Sequence, residues 1–185
     1  MPSPLLAFVL TAMTSLAPGR DHFDLAQAIT SEVEAGAPLF DRDEDRTRTA
    51  SLVVAVAFRE STFRNDAIGD NNRSVCSMQI FGGSRDLLTD PAKCIRTGLA
   101  MLRTSVRIDR LNPIAFYARG PRFTSETAKR ISRDRMALAD RVRTATLRVL
   151  TAIAEVPSTS FFSPIDATSI HAKGLHAGSF RTVGG

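Results

Sequence analysis

Tryptophan is absent from this chain, and tyrosine occurs once, at Tyr117. Any flat platform for a ligand must therefore come from phenylalanine, methionine or that single phenol. Lysine is scarce as well, with three residues against 21 arginines in a chain of net charge +5. Such an excess favours polyanionic partners or surfaces, and nucleic acid, anionic lipid and acidic cell-wall polymer all qualify. A compositional bias of the coding genome would produce the same excess. The nucleic-acid reading lacks its usual companions: there is no Cys/His finger, no aromatic-rich strand signature and no basic helix leading into heptads. No nucleic-acid partner is expected.

Cysteine and histidine are nearly as rare. Cys76 and Cys94 allow one disulfide and no more. Eighteen residues apart, they would close a loop worth on the order of 3 kcal/mol and would point to an oxidising destination. A pair of free buried thiols is the other reading. His22, His171 and His176 lie near the ends of the chain, far in sequence from both cysteines. That removes a Cys/His metal site, and no metal, nucleotide or redox cofactor is expected. Apolar runs of membrane-spanning length are missing too. The stretch from Pro4 to Met13 is apolar but short, and no positive charge precedes Arg20. Through Leu16-Ala17-Pro18-Gly19 it resembles a weak export signal, but a packed first helix is the preferred reading.

What is present suits one folded domain. The 185 residues are 43% apolar, enough for a real core, and 23% charged. The expectation is a mainly α domain over residues 1–155, followed by a flexible tail over 156–185, where Ser, Thr, Gly, Pro and His dominate. Leu25, Ala28, Ile29 and Val33 recur at helical spacing between Asp24 and Ala35. Residues 41–48 mix charges and read as a solvated linker and helix start. A helix from Thr47 to Arg59 carries the uninterrupted run Leu52 to Phe58, which belongs in the middle of a helical domain.

From Ser61 to Asn72 the chain turns polar and is expected to form one wall of a cleft, with Phe81-Gly82-Gly83-Ser84 as a flexible point beyond it. Asp90-Pro91 opens a helix that sets Ile95, Leu99, Leu102 and Val106 on one face. A short helix follows Asn112-Pro113 and stops at Gly120-Pro121. Residues 126–154 form a long closing helix with Ile131, Leu138, Val142, Ala145, Val149 and Ile153 on one side and arginines on a solvated face.

The residue with the most chemical promise is Glu60, at the end of the apolar helix. A carboxyl group where a buried helix meets a polar segment is desolvated, and such a group can stay protonated near neutral pH and act as a general acid. Gln79 carries both a donor and an acceptor, suited to sugar hydroxyls or amides. Tyr117 can hydrogen-bond a carboxyl or a ligand. Each residue also has a plain structural reading: a glutamate at a surface helix end, a glutamine on the wet face of a segment, a tyrosine at the core edge. Ser61 and Cys76 have no histidine nearby to activate them as nucleophiles.

Taken in order, these pieces resemble the catalytic domain of the soluble lytic transglycosylases, within the lysozyme-like superfamily. Glu60-Ser61 ends the apolar helix, Cys76-Ser77-Met78-Gln79-Ile80 follows the polar loop, and Asp90-Pro91, Gly98 and Tyr117-Ala118-Arg119-Gly120 come after, over residues 47–140. The resemblance implies a lysozyme-like fold with a substrate cleft between helical subdomains. It implies cleavage of the β-1,4 bond between N-acetylmuramic acid and N-acetylglucosamine in peptidoglycan glycan strands, leaving 1,6-anhydromuramoyl ends.

By the same resemblance Glu60 is general acid and then base, with Ser61, Met78, Gln79 and Tyr117 lining the substrate site. Two positions depart from the family pattern: Cys76 stands where the family has glycine, and Ala118 where it has asparagine. A hydrolytic muramidase, with Asp70 as second carboxylate, is one alternative; a noncatalytic peptidoglycan-binding module is another. The implied setting is periplasmic, extracellular or phage-associated, in wall turnover, a secretion or conjugation machine, or a phage assembly.

Overall fold

Local signals in the sequence account for where each helix starts. In the computed structural model, which describes residues 3–155, Ser3 caps α1 (Pro4–Leu16) by accepting from the Leu6 amide, with Pro4 in the first turn. Its residues Leu5, Phe8, Val9, Ala12 and Met13 are buried, so this segment is a packed helix of the core. The amphipathic helix α2 (Phe23–Ala35) buries Leu25, Ala28, Ile29 and Val33, the face its periodicity marked.

At the start of α3 (Thr47–Ser61) the charged linker departs from expectation. Asp43 is buried rather than solvated, and its carboxylate accepts from the amides of Arg48 and Thr49 and from the Thr49 hydroxyl. An acid that satisfies the orphan donors of a first helical turn stabilises it on both hydrogen-bonding and dipole grounds. Ala50 to Ala57 are all buried, and α3 packs against α1, α2 and a later helix, α6 (Glu126–Glu155). Full burial of each Leu or Val in this run stabilises by roughly 1.5–3 kcal/mol before entropy is charged against it.

The polar stretch after α3 folds into a small antiparallel sheet. Strands β1 (Ile68–Gly69), β2 (Ser74–Val75) and β3 (Ile80–Phe81) lie in that order, with Ile68 opposite Val75 and Val75 opposite Ile80. Val75 and Ile80 are buried and anchor it. A 3-10 turn, Arg85–Leu88, leads into α4 (Pro91–Ile108), where Asp90 caps by accepting from the Lys93 amide. Cys94, Ile95, Gly98, Leu99 and Leu102 form the inner face of α4, which packs against α2 and α5 (Ala115–Arg119).

The long helix α6 closes the core against α1, α3 and α5. The fold is thus mainly α with one small sheet, and the described residues form one compact unit ending at Glu155. No described helix is long and apolar enough to cross a membrane. The tail expected over 156–185, with His171 and His176, lies outside the described residues.

Candidate functional site

Glu60 occupies the last turn of α3, on the part of that helix that α6 covers. The carboxyl that the sequence leaves stranded has a cation against it. Arg135 of α6 donates from Nη2 to Glu60 Oε1 at 2.5 Å, with side chains 14% and 20% exposed respectively. Ile131, Arg135, Leu138 and Val142 follow one another at spacings of four, three and four, so Arg135 stands in the inward stripe of α6. The expectation of a wholly solvated arginine face therefore needs correction. Arg133, Arg141 and Arg148 are exposed, whereas Arg135 turns in and Arg143 donates to the Thr47 hydroxyl at 2.8 Å. The Nε of Arg135 is buried without a partner among the described residues.

The segment 76–79 reaches this helix end through side-chain-to-backbone bonds. The buried Ser61 hydroxyl lies 3.0 Å from its own helix carbonyl at Ala57 and 2.9 Å from the carbonyl of Ser77. Ser61 therefore ties α3 to the segment rather than facing solvent. Met78 is fully buried, and its carbonyl accepts from the Tyr117 phenol. Burial pushes the phenol pKa up, the Glu60 carboxylate nearby pushes it further, and Arg135 opposes both. Tyr117 thus holds its proton across the physiological range and works as a donor, here to a backbone carbonyl rather than to Glu60.

The Gln79 amide nitrogen is turned onto the segment itself, donating to the carbonyls of Cys76 at 3.0 Å and Ala67 at 3.3 Å. Its oxygen lies against Gly69, where a Cβ would stand 2.2 Å from Oε1. Gly98 of α4 makes room for Met78 in the same way: an added Cβ would lie 2.7 Å from Met78 Cε and 2.9 Å from Cγ. Glu60, Ser61, Met78 and Tyr117 are therefore brought together, and Gln79 braces the same segment. Asp70 sits on the exposed β1–β2 turn, where its carboxylate accepts from the Ser74 hydroxyl at 2.5 Å.

The two cysteines form one disulfide, with Cα atoms 6.3 Å apart, joining the segment to α4. Cys76 has φ +66°, in the left-handed region that favours glycine. Its neighbours share the habit: of nine non-glycine residues with positive φ among the described residues, Thr62, Phe63, Asp70, Asn71, Asn72, Cys76 and Gln79 all fall between positions 62 and 79. Asparagine and aspartate tolerate that conformation, but threonine and phenylalanine do so at a cost of roughly 1–2 kcal/mol each.

Sequence reasoning missed Arg135, although a charge in an apolar stripe was a visible signal. It also missed Asn65, whose amide donates to the carbonyls of Leu87 and Leu88 and links the loop to the 3-10 turn. Among the described residues no group of three or more His, Cys, Asp or Glu side chains is placed to hold a metal ion. No protein-family model, curated protein or solved structure matches this chain.

Proposed function

We propose that the protein is a lytic transglycosylase of lysozyme-like fold that cuts peptidoglycan glycan strands, with Glu60 as general acid and then base. The observation that carries this reading is that segments distant in sequence meet beside Glu60: Ser61, its neighbour, is bonded to Ser77, and Tyr117 is bonded to Met78. These are the residues on which the family resemblance rests. In the reaction Glu60 gives its proton to the glycosidic oxygen as the bond to C1 of the muramoyl sugar breaks. The substrate acetamido group and the site's electrostatics stabilise the positive charge that develops. Glu60 then takes the proton of the C6 hydroxyl, whose oxygen closes on C1 to form the 1,6-anhydro end. Proton transfer by a positioned group contributes typically ~10²–10⁴ in rate.

The substrate-facing groups are Glu60 and the surface around Tyr117, while Met78 and Gln79 shape the wall from behind. Asp70 accepts one hydrogen bond, from Ser74, on an exposed turn, and the hydrolytic muramidase with Asp70 as second carboxylate is the alternative that the product analysis decides. The noncatalytic glycan-binding reading draws on the Arg135 ion pair and on Ala118. The setting that suits the activity is the cell envelope, with the protein periplasmic, extracellular or delivered by a secretion, conjugation or phage assembly.

The test is mass analysis of the muropeptides released from purified peptidoglycan by wild type and by Glu60→Gln. Wild type should release anhydro-ended fragments and the variant none. Equal release by both removes Glu60 from the chemistry, reducing ends in place of anhydro ends favour the muramidase, and binding without turnover favours the noncatalytic module. Breaking a buried pair by removing one partner costs roughly 3–5 kcal/mol, and the partial exposure here puts the loss toward the lower end. Glu60→Gln must therefore be assayed well below its own melting temperature.

A further inference from the structure

Glu60 Oε1 is held by Arg135 rather than open to a substrate oxygen. If Glu60 is the acid, its pairing with Arg135 must be broken before the glycosidic bond is cut, and Arg135 then needs another anion. A guanidinium this far removed from water is costly to leave uncompensated. Among the described residues Glu60 is its ion-pair partner, and the neighbouring Tyr117 stays protonated and offers no charge. No other carboxylate among the described residues pairs with Arg135, and an anion on the substrate can take its place.

The geometry of the pair suits such an exchange. Arg135 holds Glu60 through a single nitrogen, Nη2, and leaves Nε without a partner. Guanidinium has a five-donor fork that accepts a carboxylate at two points, so the present contact uses part of its capacity. Its side chain keeps 14% of its surface open to solvent, which gives an incoming group a way in. Arg135 is rooted in the inward stripe of α6, one turn from the buried Ser132 and Ala139.

We propose that Arg135 is a specificity-determining residue that exchanges Glu60 for a carboxylate of an acidic glycan, freeing the acid only on substrate that carries this charge. This rests on the cell-wall reading above. The carboxylate in question is that of a lactyl group or a stem peptide on the glycan strand. Neutral glycans of the same backbone leave the pair closed and are cut slowly.

The experiment compares kcat/KM on two probes: denuded peptidoglycan strands with free carboxylates, and the same strands with those carboxylates methyl-esterified. Wild type should prefer the free acid by about 10- to 100-fold, the range for one charge-assisted hydrogen-bonded contact. Arg135→Gln should cut both probes at similar rates, and Arg135→Lys should keep part of the preference. A merely structural ion pair would lower activity on both probes in proportion and leave their ratio at the wild-type value. Equal rates by wild type, or an unchanged preference in Arg135→Gln, would overturn the proposal. If Arg135→Gln does not fold, the wild-type ratio and Arg135→Lys decide it. Cleavage of neither probe by wild type would instead overturn the cell-wall reading and this inference with it.

Discussion

Helix α3 and the segment from Thr62 to Gly83 meet at Glu60 and are built on opposite plans. α3 is regular, apolar and buried, and its eight residues from Ala50 to Ala57 need nothing but their neighbours' surfaces to hold them. The segment has two-residue strands and seven non-glycine residues at positive φ, among them Thr62 and Phe63, which adopt it at a cost. Beside the buried Val75, Met78 and Ile80, what holds it is a set of discrete ties: the disulfide, Ser61 to Ser77, Tyr117 to Met78, and Gln79 to its own backbone. The helix delivers the carboxyl by packing, where loss is spread over many contacts. The segment beside it depends more on single bonds, where loss is concentrated.

The largest expected break in that comparison is removal of the disulfide. Cys76→Ala with Cys94→Ala should lower stability by about 3 kcal/mol, the loop-closure value for this separation. Cys76→Gly with Cys94→Ala should recover about 1 kcal/mol of that, because glycine adopts φ +66° without a Cβ penalty. Denaturant midpoints measure both. Hydrogen exchange should speed up first at amides 67–82 and leave those of 50–57 protected. Equal midpoints for the two double variants would mean that the backbone at position 76 carries no strain.

Gly98→Ala is the next test, and it separates helix propensity from the packing of Met78. In α4 alone the change should stabilise by about 1 kcal/mol. Here the new methyl meets Met78, and overpacking typically costs about 1–3 kcal/mol. The expected net is a loss of about 1 kcal/mol in thermal unfolding. Activity should fall further than stability predicts, because the Met78 carbonyl shifts against the Tyr117 phenol. A gain in stability would show that the Met78 side chain moves aside without resistance.

The same contrast explains what the sequence disclosed. α2, α3 and α4 were legible because periodicity, Asp90 and Pro91 act over a turn or more of helix, and their observed limits differ from the expected ones by a few residues at most. The sheet was not, because strands of two residues are shorter than any period that could announce them, and its turn formers Asp70, Asn71 and Asn72 mark a turn without showing what it joins. Glu60, Ser61, Met78 and Tyr117 could be singled out by residue type and order. Their partners could not, since a hydroxyl's choice of the Ser77 carbonyl is a tertiary fact. Asp43 and Arg135 were misjudged for one shared reason: charged residues are mostly solvated, and these two are instead consumed by a helix start and by an opposing acid.

The smallest effect, and the only expected gain, lies where the two plans join. Thr62 ends α3 with φ +54°, and its amide donates to the Phe58 carbonyl at 2.9 Å. Glycine is the usual residue for such a left-handed helix end, and threonine, branched at Cβ, is among the least suited. Thr62 is exposed, so its side chain contributes little packing to set against the strain. Thr62→Gly should therefore stabilise by about 0.5–1 kcal/mol even after the added freedom of glycine in the unfolded chain. The direction of the activity change then decides what the strain is for. If the threonine only happens to sit there, turnover is unchanged as the melting temperature rises. If the strained end holds Glu60 and Ser61 in register with Ser77, the more stable variant turns over more slowly. The helix would then have given up stability at its C-terminal cap to aim the residue before the serine.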